Sequence, residues 1–340
     1  MSGAANSEHL TVSVLIPSWK RPQHLGRCLQ SLAAQSRLPD QVILVWQAED
    51  VETRDAAMRI RQSMPFHLDI LHNVERGIVP AENLALAHAT GRVIALLDDD
   101  VTAPHDWLSR HLSRLADPKV GAVGGPAINH FPDGTAFPIR RATPIGRLAW
   151  NGQLTGNMYD HPSDWASREP ITVDHLVGYN MVLRRAAFDR FEVGLRPYWQ
   201  LFELDACLQA QARGYRVVFD YSNVVRHYPT NTVYDGSRDG DVDVKIFNGA
   251  HNLAFIHAKH SVWPLAPFRL AQQLLVGRVN SPGIFASLVA IYRFGEPMRE
   301  LRILLHTWSA VFAGWRAGLR RRSHVGFSST GVLRQRLRSQ

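Results

Sequence analysis

Along the first third of the chain, short β-branched apolar runs alternate with longer segments whose apolar residues recur every three or four positions. Residues 11–17 (TVSVLIP) are the first such run, and residues 21–35 follow with Leu25, Cys28, Leu29 and Leu32 at helical spacing. The strand signal returns at 41–46 and 66–71, with a helix predicted over 51–64 between them. Residues 80–89 carry Leu84, Ala87 and His88 on a helix that Gly91 stops, 93–97 (VIALL) is a fourth strand, and 104–115 the next helix. This alternation predicts a parallel sheet covered by helices on both faces.

Farther along, 120–126 (VGAVGGP) predicts another strand, and 129–170, rich in Pro, Gly, Arg and Trp without a period, an irregular insertion. Residues 174–183, a short helix over 185–191, a helix over 204–213 and strands over 215–219 and 223–227 follow. Residues 262–292 are apolar but broken by Pro264, Pro267, Arg278 and Pro282, which predicts helical segments lying on a surface. Over 301–319, Leu301, Leu304, Leu305, Trp308, Val311, Phe312, Trp315 and Leu319 share one side, and Arg302, His306, Ser309, Arg316 and Arg320 take the other. A basic amphipathic helix of this kind suits a membrane interface; the alternative is a helix packed on the catalytic domain or on a second subunit.

Hydrophobic residues make up 45% and charged residues 20% of the 340, a balance that sustains an ordered core rather than disorder. The net charge of +8 is concentrated: eight arginines and no acidic residue follow position 300, leaving 30 basic against 30 acidic residues before it. A neutral body with a basic tail excludes a nucleic-acid groove and points to an anionic membrane surface. Cys28 and Cys207 fall in helical segments without metal-ligand spacing and are expected to be reduced thiols. With neither a signal-like start nor an uninterrupted apolar run of about 18 residues, a cytoplasmic protein peripheral to the inner face of the cell membrane is expected.

The chemistry concentrates at Asp98-Asp99-Asp100, directly after the VIALL run. Three carboxylates at the mouth of a buried strand repel one another unless a cation or several donors satisfy them; the alternative is a solvated acidic loop. Hard oxygen ligands suit Mg2+ or Mn2+, ions that bridge a carboxylate to substrate phosphates. Ligands of open α/β sheets bind beyond the carboxyl ends of the strands, where Pro17-Ser18-Trp19, residues 47–50 and the triplet all fall. Pro17, Ser18, Arg21 and Asp50 are therefore candidates for a nucleotide site.

The segments VSVLIPSWKRPQHLGRCLQSLAAQ, GIVPAENLALAHATGRVIALLDDD, VGYNMVLRRAAF and FELDACLQAQARGYRVVFDYSNVVRH together resemble the family 2 inverting glycosyltransferases, over residues 12–227. The resemblance implies the GT-A fold, a Rossmann-like, mostly parallel sheet flanked by helices, to which the amphipathic pattern adds a C-terminal helical tail expected to associate with membrane. The implied catalytic domain is 1–260, with a nucleotide-binding half near 11–126 and an acceptor half near 127–260, and the tail is 261–340. It identifies the triplet with the family's D-x-D motif: Asp98 toward the nucleotide and metal, Asp99 supporting, Asp100 ligating Mn2+ or Mg2+. Asn83 joins the donor site, and His227 either approaches the metal or is a structural hydrogen-bonding residue.

Counting back from Gly214 puts Glu203 where the family has its catalytic carboxylate, the general base. Phe202 stands where an acidic residue usually precedes that base, and Asp205 follows two positions on, so Asp205 is the alternative base; carboxylates that merely open a helix are a third possibility. Asn180 and Trp199 would border the sugars, and simple core packing is an equal expectation for Trp199. The implied activity is inverting, metal-dependent transfer from a nucleotide-sugar donor to a saccharide acceptor, possibly lipid-linked. A nucleotidyltransferase would show a glycine-rich loop after the first strand, and IPSWKRP has no glycine. A non-enzymatic membrane-associated assembly protein would leave the triplet and Glu203 unexplained.

Overall fold

The computed structural model describes residues 10–131, 134, 145–156, 165–197, 201–229, 241–262, 265–278 and 281–322. The opening alternation folds as expected into strands β1 (Val12–Ser18), β2 (Gln41–Gln47), β3 (His67–Asn73) and β4 (Val93–Leu96) and helices α1 (Pro22–Ala33), α2 (Val51–Arg61) and α3 (Ile78–His88). Side chains alternate across each strand. Val12, Val14 and Ile16 pack with Leu25, Cys28, Leu29 and Leu32 of α1 on one face of the sheet, while Leu15, Ile43 and Val45 meet Ala81, Ala85 and Leu86 of α3 on the other. Burying each such leucine stabilises the fold by about 1.5–3 kcal/mol.

β5 (Val101–Thr102), α4 (Trp107–Leu115), β6 (Val120–Gly124) and β7 (Ala127–Asn129) come next, then a hairpin of β8 (Arg147–Leu148) and β9 (Leu154–Thr155) within the predicted irregular stretch. After it lie β10 (Ile171–Val173), β11 (Met181–Arg184), α5 (Phe202–Ala212), β12 (Arg216–Phe219) and β13 (Val225–His227). The main sheet has the order β10-β12-β6-β11-β4-β1-β2-β3. As expected it is mostly parallel, with two exceptions: β11 runs antiparallel between β4 and β6, and β10 antiparallel at the edge. No crossover helix joins β10 to β11, so nothing forces either strand into the parallel direction.

The helix predicted over 185–191 shrinks to one 3-10 turn, Arg185–Ala187. The chain beyond it is held open: Asn83 donates to the Phe191 carbonyl and accepts from the Phe191 N–H, and Phe188 and Phe191 go into the core. A nineteen-residue helix that the pattern did not announce, α6 (Val242–His260), follows, capped by the Asp241 carboxylate on the Asp243 and Val244 N–H groups. The surface segments then appear as α7 (Leu265–Leu275), α8 (Ile284–Phe294) and α9 (Pro297–Arg320).

α9 corrects one inference from its amphipathic pattern. Its inner face is the small-residue stripe Thr307, Ala310, Val311, Gly314 and Gly318, laid along α6, while Leu301, Leu305, Phe312 and Leu319 are exposed. A Cβ on Gly314 would stand 2.1 Å from the His251 carbonyl, and one on Gly318 2.3 Å from that of Phe255, so only glycine admits this approach. The helix therefore packs on the protein and also presents an apolar stripe outward. No helix among the described residues is long and apolar enough to cross a membrane.

Candidate active site

The triplet begins two residues after β4 and is held from two sides. From β1 and α1, Ser18 Oγ donates to Asp99 Oδ2 (2.6 Å), and Arg21 Nη1 donates to Asp99 Oδ1 (3.0 Å) and Asp100 Oδ2 (2.8 Å). From the far end of the domain, β13 pairs antiparallel with β5 so that His227 lies opposite Val101, and the Tyr228 N–H donates to the Asp100 carbonyl. That register sets His227 Nε2 3.3 Å from Asp100 Oδ1. The other ring nitrogen, Nδ1, is 2.8 Å from Asn129 Oδ1, a contact that holds the ring with Nε2 toward the triplet.

Asp98, Asp100 and His227 each offer one ligand atom, all within 4.8 Å of one another. Burial, then the neighbouring Asp100 charge, raises Asp98 to about 7, and burial lifts Asp99 to about 6 against the pull of Arg21. For Asp100 burial works the same way, yet His227 and Arg21 outweigh it and hold the carboxyl below the ordinary carboxylate range. Asp100 Oδ1 is buried without a hydrogen-bond donor among the described residues. A carboxylate oxygen lacking a donor, a second carboxylate and an imidazole nitrogen make a donor set that fits a divalent cation.

Glu203 and Asp205 share the first turn of α5 but not an environment. The helix starts from Leu201 in the left-handed region (φ 56°), and Glu203 Oε1 accepts from the Gly178 N–H at 3.2 Å. Burial raises Glu203 to about 7 despite that donor and its own backbone N–H. Asp205 points into the protein, where His260 Nε2 (2.7 Å), Lys259 Nζ (2.8 Å) and Gln209 Nε2 (2.7 Å) all donate to it. Burial opposes its charge, but His260 and then Lys259 prevail and bring Asp205 to about 2. A carboxylate so fully paired is a poor proton acceptor, which corrects the alternative of Asp205 as base.

Other predicted residues fall differently. Pro17 is half-buried in β1 beside Val45. Asp50 caps α2 through the Thr53 N–H (3.2 Å) and accepts from the Lys20 N–H, so its carboxylate organises the loop after β1 rather than facing a ligand. Asn83 spends both side-chain groups on Phe191, as described, and is not free for a donor. Asn180 is likewise committed: its Oδ1 accepts from Trp107 and His111, both at 2.9 Å, and its Nδ2 donates to the Asn223 (2.8 Å) and Pro126 carbonyls (3.2 Å). It ties α4 to the turn that leads into β11. Trp199 lies outside the described residues.

The sequence did not single out Asn129, Gly178, Lys259 or His260, because each acts through a contact distant along the chain.

The fold is of the GT-A type and is shared with solved structures, among them the following two. A mannosyltransferase from Pyrobaculum calidifontis, PcManGT, in complex with GDP-Man and Mn2+ has a TM-score of 0.52 and 17% identity, over 93% of this chain and 89% of that one. GalNAc-T7 with UDP, GalNAc and Mn2+ has a TM-score of 0.52 and 16% identity, over 77% and 54%. Among curated relatives, the succinoglycan biosynthesis protein ExoM of Rhizobium meliloti is 32% identical over 128 residues, 37% of this chain and 41% of that protein. The O-antigen biosynthesis protein RfbC of Myxococcus xanthus is 27% identical over 217 residues, 61% of this chain and 16% of the relative. The matches thus span well under half the length of these relatives. The model of glycosyl transferase family 2 matches residues 13–191, more than half of the 340, and the chain belongs to that family.

Proposed function

We propose that this chain transfers a sugar from a nucleotide-sugar donor to the hydroxyl of a saccharide acceptor, with inversion and with a divalent cation. The observation that carries the reading is the division of labour between two carboxylate sites: an acidic cluster at the end of β4 with an imidazole nitrogen beside it, and Glu203, half-buried at the start of α5 and held at about 7. Asp98, Asp100 and His227 would hold Mn2+ or Mg2+, which when bound neutralises charge on the departing diphosphate. Ser18 and Arg21 keep Asp99 and Asp100 oriented for it. Glu203 takes the proton of the acceptor hydroxyl on the face opposite the leaving group; a base near pH 7 is ionised yet basic enough to do so. Structural neighbours in complex with GDP-Man or UDP and Mn2+, and relatives named for succinoglycan and O-antigen biosynthesis, support a donor of this class and a role in cell-surface or exopolysaccharide synthesis.

Thermal shift with UDP, GDP and dTDP tests the donor site. One diphosphate is expected to raise the melting temperature in the presence of Mn2+ and not in EDTA; stabilisation indifferent to metal overturns the cation's role.

The same reading has the enzyme peripheral to the inner face of the cell membrane, near a lipid-linked acceptor. Leu288 and Tyr292 of α8 and Met298, Leu301, Leu305 and Phe312 of α9 are exposed, with Arg302, Arg316 and Arg320 along the neighbouring strip of α9. Deleting α9 would strip α6 of its packing, so the test is the exposed triple Leu301→Ser, Leu305→Ser, Phe312→Ser. Loss of flotation with phosphatidylglycerol vesicles is expected, and flotation equal to the parent chain would sink the membrane role.

A further inference from the structure

Trp150 stands in the turn between β8 and β9, is 61% exposed, and is the only exposed aromatic residue before α7 among the described residues. Its turn is firmly held. Arg269, itself buried in α7, donates from Nε to the Trp150 carbonyl (3.1 Å), from Nη2 to the Ala149 carbonyl (3.2 Å) and from Nη1 to Ser261 Oγ (2.8 Å). On the other side of the turn His257 Nε2 is 3.0 Å from the Gly152 carbonyl. A Cβ on Gly152 would stand 2.4 Å from that ring, so only glycine lets the turn close on α6.

One exposed apolar residue means little, but Trp150 is not isolated. Its ring stacks on Phe268 of α7, centroids 5.1 Å apart and planes at 26°, and Phe268 is 43% exposed. Leu275, two turns farther along the same side of α7, is exposed as well. At that end of α7 the Trp308 indole N–H of α9 donates to the Leu274 carbonyl (3.2 Å), and Trp308 stands in the outward stripe with Leu301, Leu305, Phe312 and Leu319. The apolar surface thus runs from the hairpin across α7 to α9. Its charge has one sign: after residue 260 there are twelve arginines and two acidic residues, of which Glu300 is buried. An apolar surface in a segment of this charge suits anionic phospholipid better than a neutral saccharide.

We infer that Trp150 is a membrane anchor supplied by the catalytic domain itself: its indole enters the headgroup region of anionic phospholipid beside Phe268 and fixes the β8–β9 hairpin against the bilayer. Indole suits that depth, having apolar rings and one polar N–H, and a ring held rigid beforehand loses little freedom on docking. The hairpin is in turn bound to the segment that reaches Glu203. The Gly146 carbonyl accepts from the Asp174 and His175 N–H groups, the Leu148 N–H donates to Asp174 Oδ2 (2.8 Å), and three residues after His175 the Gly178 N–H donates to Glu203. Docking at Trp150 therefore turns the Glu203 side of the molecule toward the lipid, where the reacting hydroxyl of a lipid-linked saccharide lies. The inference rests on the membrane reading of the preceding section.

The test measures partition of the full chain into vesicles of phosphatidylcholine alone and of phosphatidylcholine mixed equally with phosphatidylglycerol, by sedimentation over rising lipid. The parent should bind the mixed vesicles. Trp150→Ser should lower that partition coefficient about tenfold, Phe268→Ser should lower it less, and Trp150→Phe should keep most of it. Val74→Ser, at an exposed position just beyond the edge strand β3, is the control and should bind as the parent does. Trp150→Ser should melt close to the parent, because Arg269 holds backbone carbonyls rather than the ring. If it does not fold, Phe268→Ser decides alone, and an unchanged partition overturns the inference. So does a Trp150→Ser variant that binds as tightly as the parent, or a loss no greater than that of Val74→Ser. A Trp150→Ser variant that keeps its vesicle binding but loses transfer would make the ring a saccharide platform, which also overturns the anchor. A parent that ignores both kinds of vesicle overturns the membrane reading itself. Binding that needs Leu301, Leu305 and Phe312 but not Trp150 leaves that reading standing and removes only the anchor, so the two failures are distinguishable.

Discussion

At the end of β4, three adjacent carboxylates face one arginine and one histidine, whereas below the start of α5 the carboxylates of Asp205 and Glu192 are met by Lys259 and His260, with Arg321 3.9 Å from Glu192. The first cluster keeps a buried oxygen without a donor and holds Asp98 and Asp99 at about 7 and about 6; the second is saturated, and Asp205 falls to about 2. Both clusters are buried and acidic, so neither property marks function. What separates them is the balance of partners: a cluster short of positive charge is prepared for a ligand, and a balanced one joins pieces of the fold. The balanced cluster ties α5 to α6 and, through Arg321, to the end of α9. Glu203 sits on the same turn as Asp205 and outside that network.

Substitutions that swap these roles would break the comparison. The largest effect is expected from Glu203→Gln, which should lower kcat by about 10²- to 10⁴-fold while Mn2+-dependent nucleotide binding persists. A kcat close to that of the parent, with Asp205→Asn inactive yet folded, would reverse the assignment.

Next comes Lys259→Met, which leaves Asp205 and Glu192 short of their shared cation. Breaking such a buried pair should cost about 3–5 kcal/mol in urea unfolding, with kcat of the folded enzyme little changed. A variant as stable as the parent would mean that the cluster does not join the helices.

The smallest effects are in pH. As a base held at about 7, Glu203 should make kcat/KM rise with pH below that value and level off above it. Its raised value also means that the stability it lends as an acid is full below the ordinary glutamate range and is lost as pH rises through about 7, so Glu203→Gln should melt higher than the parent at pH 8. For Asp205 the sign is opposite: its stabilisation is complete above the ordinary aspartate range and disappears as pH falls toward about 2, and Asp205→Asn should flatten the acid limb of the stability curve.

Much of the first half was legible. Strand alternation and helical spacing are properties of a few neighbouring residues, and β1 to β4 with α1 to α3 emerged close to their predicted bounds. The triplet was legible for the same reason, being contiguous and directly after a buried strand. Less was legible where function depends on what a side chain touches. Asn83 and Asn180 occur in segments that resemble the family's, yet both are consumed by hydrogen bonds inside the fold. In α9 the apolar spacing was read correctly, but its packed face was not, because close approach of two helices selects small residues that periodicity passes over.

By itself, then, the sequence determined a mostly parallel α/β sheet with an acidic cluster at a strand end and a carboxylate-bearing helix downstream, since those follow from local spacing. Only the tertiary structure decided how differently the two carboxylates of that helix are paired. Lys259 and His260, which pair with Asp205, lie 54 and 55 residues beyond it, and His227 reaches Asp100 only through the β5–β13 register. Local pattern sets what a residue can do; its charge state and reach depend on groups that only folding brings alongside it.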